Sequence, residues 1–102
     1  MGNVIKACFH EKMISIYLKA KTECNYNATR FLQMVSEQGG LEAAKSLLHV
    51  DGYSDGLVTL WEQGRLDLTM EALVLQKPWD SLFLEEELNI AQKRLNELGY
   101  KK

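Results

Sequence analysis

Between Val4 and Cys24 the chain contains neither glycine nor proline, and its apolar residues recur at helical rather than alternating spacing. Ile5, Cys8, Phe9, Met13, Ile16, Tyr17, Ala20 and Cys24 fall on one broad face when successive residues are turned by about 100°. A helix this long dictates the plan of a 102-residue chain, because the other segments must be laid along it. Ala7, Ile14 and Leu18 fall on its opposite side. So short a chain has little left to cover them, which favours a homodimer through the first helix with Ile14 and Leu18 near a twofold axis; the alternative is a monomer on which they are scattered exposed apolar residues or are covered by the C-terminal helix.

The remainder is punctuated into short elements. Asn27 suits an N-cap, Phe31, Leu32 and Val35 make a stripe, and Gly39-Gly40 stops the second helix. Leu41, Ala44, Leu47 and Leu48 make a third, closed by a polar turn from Asp51 to Gly56 in which Ser54 or Asp55 caps the next helix. Leu57, Leu60 and Trp61 precede Gly64. Leu66, Leu68, Leu73 and Leu75 then come around Thr69, so that two short helices meet at a corner. Pro78 cannot continue the second of them, and Trp79 to Phe83 reads as a turn. The last helix spans about 85–98, with Glu85, Glu86 and Glu87 as a solvated acidic start, Leu84, Leu88, Ala91, Leu95 and Leu98 as its buried stripe, and Gly99 beyond its end. No strand pattern of any length occurs. The expectation is an all-α compact bundle of five or six helices, one domain over residues 1–102, with Leu60, Trp61, Leu68, Leu73, Leu75, Phe31, Leu32 and Leu88 at its centre.

At the corner, Arg65 and Asp67 flank a leucine. Asp67 is placed to accept amides at the start of the Thr69 helix and Arg65 to pair with Glu71 or Glu62, so Arg65, Asp67 and Glu71 form a candidate polar corner. The alternative is that Arg65 is a free ligand-binding cation.

Several of these segments together resemble an uncharacterised bacterial family of small all-α domains. The likeness is carried by Tyr26-Asn27-Ala28 with Phe31-Leu32, Gly39-Gly40 with Ala43-Ala44-Lys45 and Leu47-Leu48, Leu60-Trp61-Glu62, and Gly64-Arg65-Leu66-Asp67-Leu68. Glu71-Ala72-Leu73-Val74-Leu75, Leu82-Phe83, Glu87-Leu88 and Arg94-Leu95 extend it, so that it covers residues 17 to 100. The resemblance implies a fold unit rather than an activity, found alone or at the C-terminal end of larger proteins, which suits an accessory or interaction module. Leu84 departs from it, standing where a capping Thr, Ser or Asp is expected.

Chemistry is harder to find. Asp51 to Glu62 matches a calcium loop except that Tyr53 falls where a carboxylate is needed, and helical spacing resumes before the loop could close. The simpler reading is a polar turn. Cys8 and Cys24, on one helix, lie roughly 24 Å apart, too far for a shared zinc ion, and Cys8 and His10 point about 200° apart around it. The cysteines read instead as buried or half-buried small hydrophobes and free thiols of a reducing compartment. His10 and His49 lie in different elements, and there is neither a serine elbow nor a glycine-rich phosphate loop, so no catalytic, cofactor-binding or metal residue is assigned and no cofactor is expected. The net charge is -2, with six Lys/Arg against four Asp/Glu in residues 1–45 and six against ten in residues 46–102. Such a balance, with an apolar helix after the corner, argues against nucleic acid. Without a signal-type or membrane-length apolar run, the expected location is the cytoplasm, with no membrane contact. The sequence thus points first to a small protein-interaction or accessory module with an unidentified partner. A nucleic-acid-associated protein is the alternative, and small-ligand binding or an enzyme is the third reading.

Overall fold

The computed structural model describes residues 2–100. They form six α-helices, α1 (Gly2–Cys24), α2 (Thr29–Gln38), α3 (Gly40–Leu48), α4 (Asp55–Glu62), α5 (Met70–Val74) and α6 (Glu85–Glu97), with 3₁₀ turns at Leu66–Leu68 and Trp79–Leu82. No strand occurs among the described residues, as the absence of alternating patterns predicts. At 1.5 Å per residue α1 is about 35 Å long, close to the 37 Å longest dimension of the molecule.

The main core lies where α1 meets α2, α3, α5 and the second 3₁₀ turn. Phe9 and Met13 of α1 are fully buried there with Val35, Ala43, Ala44, Leu48 and Val74. Phe9 also meets Trp79, ring centroids 5.8 Å apart, and the edge of Phe83 at 5.5 Å, a geometry that aromatic quadrupoles favour. Burying a side chain of this size contributes about 1.5–3 kcal/mol. Two smaller clusters flank the main one. Ala20, Cys24, Leu60 and Leu68 form the first, and Leu57, Leu66, Ala72 and Leu95 the second.

The centre therefore differs from the sequence expectation. Leu60, Leu68 and Leu73 are buried, whereas Phe31, Leu32, Leu75 and Leu88 are only half-buried. Trp61 is 45% exposed, because its indole lies over the end of α6 and donates its N–H to the Leu98 carbonyl at 3.1 Å. It ties two helices together from outside.

Local chemistry sets the element boundaries. Asn27 does not cap α2: its Oδ1 accepts the Tyr17 hydroxyl at 2.7 Å, and the helix starts one residue after Ala28 without a side-chain cap. Ser54 caps α4 by accepting the Leu57 amide. Buried Thr69 caps α5, accepting from the Ala72 amide while its own hydroxyl donates to the Leu66 carbonyl. Gly64 and Gly99 take left-handed φ values of 73° and 82°. There the following amide reaches back five residues, Arg65 to Leu60 and Tyr100 to Leu95, which closes α4 and α6 with Schellman turns. Gly40 has another purpose. A Cβ on it would lie 2.6 Å from the Cα of His10, so only glycine lets α3 start against α1. The Gly40 amide donates to His10 Nδ1 at 2.9 Å, which supplies the cap α3 lacks locally.

Charged residues on α6 hold α3 from the side. Glu87 belongs to no solvated helix start: it is 2% exposed and accepts from Lys45 Nζ at 2.8 Å and His49 Nε2 at 2.9 Å. It also accepts the Leu84 amide at 2.8 Å, the half of a capping box that a leucine at the cap position permits. Burial alone would raise its pKa, but the Lys45, Leu84 and His49 hydrogen bonds outweigh it and hold the carboxyl down at about 2. Two turns further along, Arg94 is also buried, and its guanidinium donates to the carbonyls of Leu47, Leu48 and Val50 and to Glu71 Oε2. It satisfies the orphan carbonyls at the C-terminus of α3, where a cation also complements the helix dipole.

Candidate functional site

The polar corner is built differently from its expectation. Arg65 and Asp67 do meet, Nε to Oδ1 at 3.1 Å and Nη2 to Oδ2 at 3.2 Å, and Arg65 Nη2 also reaches Glu23 Oε1 at 2.9 Å. Asp67 caps nothing, since Thr69 already fills that role. Glu71 is not part of the corner. It is 2% exposed and turns inward to Arg94, burial raising its carboxyl pKa and the guanidinium drawing it back. The corner is thus an exposed ion cluster joining the end of α1 to the first 3₁₀ turn, the kind of pairing worth at most about 1 kcal/mol.

On α1 the apolar far side is only partly open. Ile14 is half-buried and packed against the main core, while Leu18 remains 51% exposed. Cys24 is buried, but Cys8, expected at least half-buried, is exposed, because α1 is turned so that Phe9 and Met13, rather than Cys8, meet α3. Asp51, Asp55 and Glu62 do not converge: among the described residues no three His, Cys, Asp or Glu side chains gather in a way that could hold a metal ion. The phenol of Tyr53 instead donates to Glu97 on α6.

The feature that sequence reasoning missed is a cleft. The C-terminal half of α1, the link into α2, the start of α4 and the turn into α5 leave between them a half-open hollow of about 490 Å³. Ile16, Ala20, Met34, Leu47, Leu60 and Met70 give it apolar walls, and Tyr17, Tyr26, Phe31 and Tyr53 contribute aromatic rings. Val50 and Tyr53, among the most exposed large apolar side chains of the molecule at 59% and 41%, both border it. Glu71 also lines it, its charge compensated by Arg94 from behind.

The polar groups in the cleft are few. The Tyr17 hydroxyl is engaged by Asn27. Tyr26 has a raised pKa, from burial first and then from the nearby Asp55 carboxylate, so it stays a neutral donor and acceptor. Arg30 and Asp55 complete the lining from the first turns of α2 and α4. The cleft is thus an apolar receptacle with a polar edge. Neither histidine lines it.

Its wall owes its shape to α6. Arg94 donates to Val50 O at 2.6 Å and Glu97 accepts from Tyr53, so the stretch that borders the cleft is held at both ends. Those anchors are remote in sequence. Only the spacing of Lys45 and His49, one helical turn apart on α3, hints that a carboxylate must face them.

No protein-family model matches the chain, and no curated protein or solved structure is similar to it. Among the described residues no helix is long and apolar enough to cross a membrane.

Proposed function

We propose that the chain is a small protein-interaction module and that its cleft receives an apolar segment of a partner protein. One observation carries this reading: the exposed Val50 and Tyr53 are not scattered but border a largely apolar cleft of about 490 Å³. Contiguous apolar surface around a concavity is what a binding site presents. The likeness to small helical domains that stand alone or end larger proteins agrees with an accessory role. An exposed free Cys8 suits the cytoplasm, where thiols stay reduced.

A small apolar ligand is the second reading, supported by a volume within the roughly 300–1,000 Å³ of such sites. Nucleic acid has less to stand on, because α5, the helix after the corner, is buried along its length and has no basic residue. A homodimer through α1 rests on Leu18, since the core already engages Ile14.

The test is photo-crosslinking in the cells that make the protein. A photoreactive phenylalanine replaces Val50, at the cleft, or Leu84, equally exposed at 57% but remote from it. Adducts with one discrete protein at Val50, absent at Leu84 and lost when Ala28→Trp fills the cleft, support the proposal. Adducts that are equal at both positions, or that persist with the cleft filled, contradict it.

A further inference from the structure

Three charged side chains line the cleft: Arg30, Asp55 and Glu71. Glu71 contributes no net charge, because Arg94 neutralises it in a buried pair at 3.1 Å. One cation and one anion remain. Arg30 is in the first turn of α2 and Asp55 in the first turn of α4, and both are exposed. They pair neither with each other nor with any other described residue. The ion pairs nearest in kind lie elsewhere: Arg65 with Asp67 and Glu23 at the corner, and Lys45 with Glu87 between α3 and α6. Two opposite charges left free on different elements of one apolar hollow amount to a dipolar frame around an apolar receptacle. An occupant with two like charges would meet repulsion from one of them, and an uncharged one would leave both to water.

We infer that the partner segment carries one acidic and one basic side chain flanking large apolar ones, the acidic side chain facing Arg30 and the basic one facing Asp55. This rests on the cleft being the docking site. The apolar side chains enter among Tyr17, Tyr26 and Phe31. Tyr26, with Asp55 close enough to affect its ionisation, puts an aromatic ring beside the carboxylate, and a basic head seated there gains from both. The charges supply orientation: a segment laid in backwards would set like against like.

Four blocked peptides test this: acetyl-Lys-Leu-Leu-Glu-amide, its reversed-charge counterpart acetyl-Glu-Leu-Leu-Lys-amide, and the versions with two lysines or two glutamates. The readout is methyl NMR of methionine-labelled protein. Met34 and Met70 line the cleft, whereas Met13 is fully buried in the main core away from it and reports on the fold. The expected result is that one mixed peptide shifts Met34 and Met70 with an affinity about fivefold above either like-charged peptide, the order expected of two partly exposed ion pairs. In Arg30→Glu, where both free charges become acidic, the two-lysine peptide should take first place. Equal affinities for all four peptides, with Met34 and Met70 shifting, overturn the charge inference and leave the cleft reading standing. If no peptide moves either methionine, the cleft reading falls and the inference with it.

Discussion

Replacing Arg94 by methionine probes the joint on which both the fold and the cleft wall depend. Methionine matches the stem of Arg94 as far as Nε and is flexible, so the change keeps the apolar packing of the stem and removes the guanidinium with its charge and donors. Four acceptors lose their donor: Leu47 O at 3.1 Å, Leu48 O at 3.2 Å, Val50 O at 2.6 Å and Glu71 Oε2 at 3.1 Å. The carboxylate dominates, because Glu71 is 2% exposed and an uncompensated buried charge costs about 3–5 kcal/mol. Each carbonyl at the end of α3 adds up to about 1 kcal/mol, less where water can reach it. The expected loss is about 4–5 kcal/mol, close to the whole stability of a small domain, read from urea unfolding followed by circular dichroism. The pH dependence gives a second readout. Without Arg94, burial keeps the Glu71 pKa above its unfolded value, so the penalty is full at neutral pH and fades as pH falls through the folded-state value. Glu71→Gln on top of Arg94→Met should therefore recover about 2 kcal/mol by removing the buried charge. A single mutant within 1 kcal/mol of the wild type, or a double mutant less stable than Arg94→Met, would show that the buried Glu71–Arg94 pair does not hold this joint.

Other perturbations separate the remaining contacts. Gly40→Ala puts a methyl 2.6 Å from the His10 Cα, a clash with backbone that the gain in helix propensity cannot offset, so urea melts should show a loss of about 2 kcal/mol or more. Glu87, with its folded-state pKa at about 2 against 4.5, gives a stabilisation that is full above pH 4.5 and lost as pH falls towards 2, about 3 kcal/mol in all. Chemical denaturation across that range should show the loss, and Glu87→Gln should flatten it. Trp61→Ala should cost only about 1 kcal/mol by the same urea assay, since the indole is half-exposed and gives up mainly its bond to Leu98.

The helices were legible in the sequence because their boundaries are local. Gly64 and Gly99 end α4 and α6 through their own backbone freedom, and Ser54 and Thr69 cap α4 and α5 through their own hydroxyls. Features that depend on contacts far apart in the chain were not legible. Trp61 keeps helical spacing with Leu57 and Leu60, yet the end of α6 draws it to the edge. Glu87 reads as part of a solvated acidic start because charge usually is solvated, and nothing local marks Arg94 as buried, whereas here the α3 region supplies Lys45, His49 and terminal carbonyls to receive them. Asn27 has the residue type of a cap, but Tyr17, ten residues earlier, claims its oxygen. The cleft is assembled in the same long-range way, since its lining runs from Ile16 to Glu71 and no stretch of sequence contains it.

The claim that the cleft is where this molecule binds is tested most directly by titrating indole, an apolar probe with a single N–H donor, into methionine-labelled protein. Saturable shifts of the Met34 and Met70 methyls are expected, with Met13 unmoved, and they should be abolished in an Ala28→Trp variant whose urea midpoint matches the wild type. Shifts spread equally over Met13, Met34 and Met70, or shifts that survive the filled cleft, would contradict it.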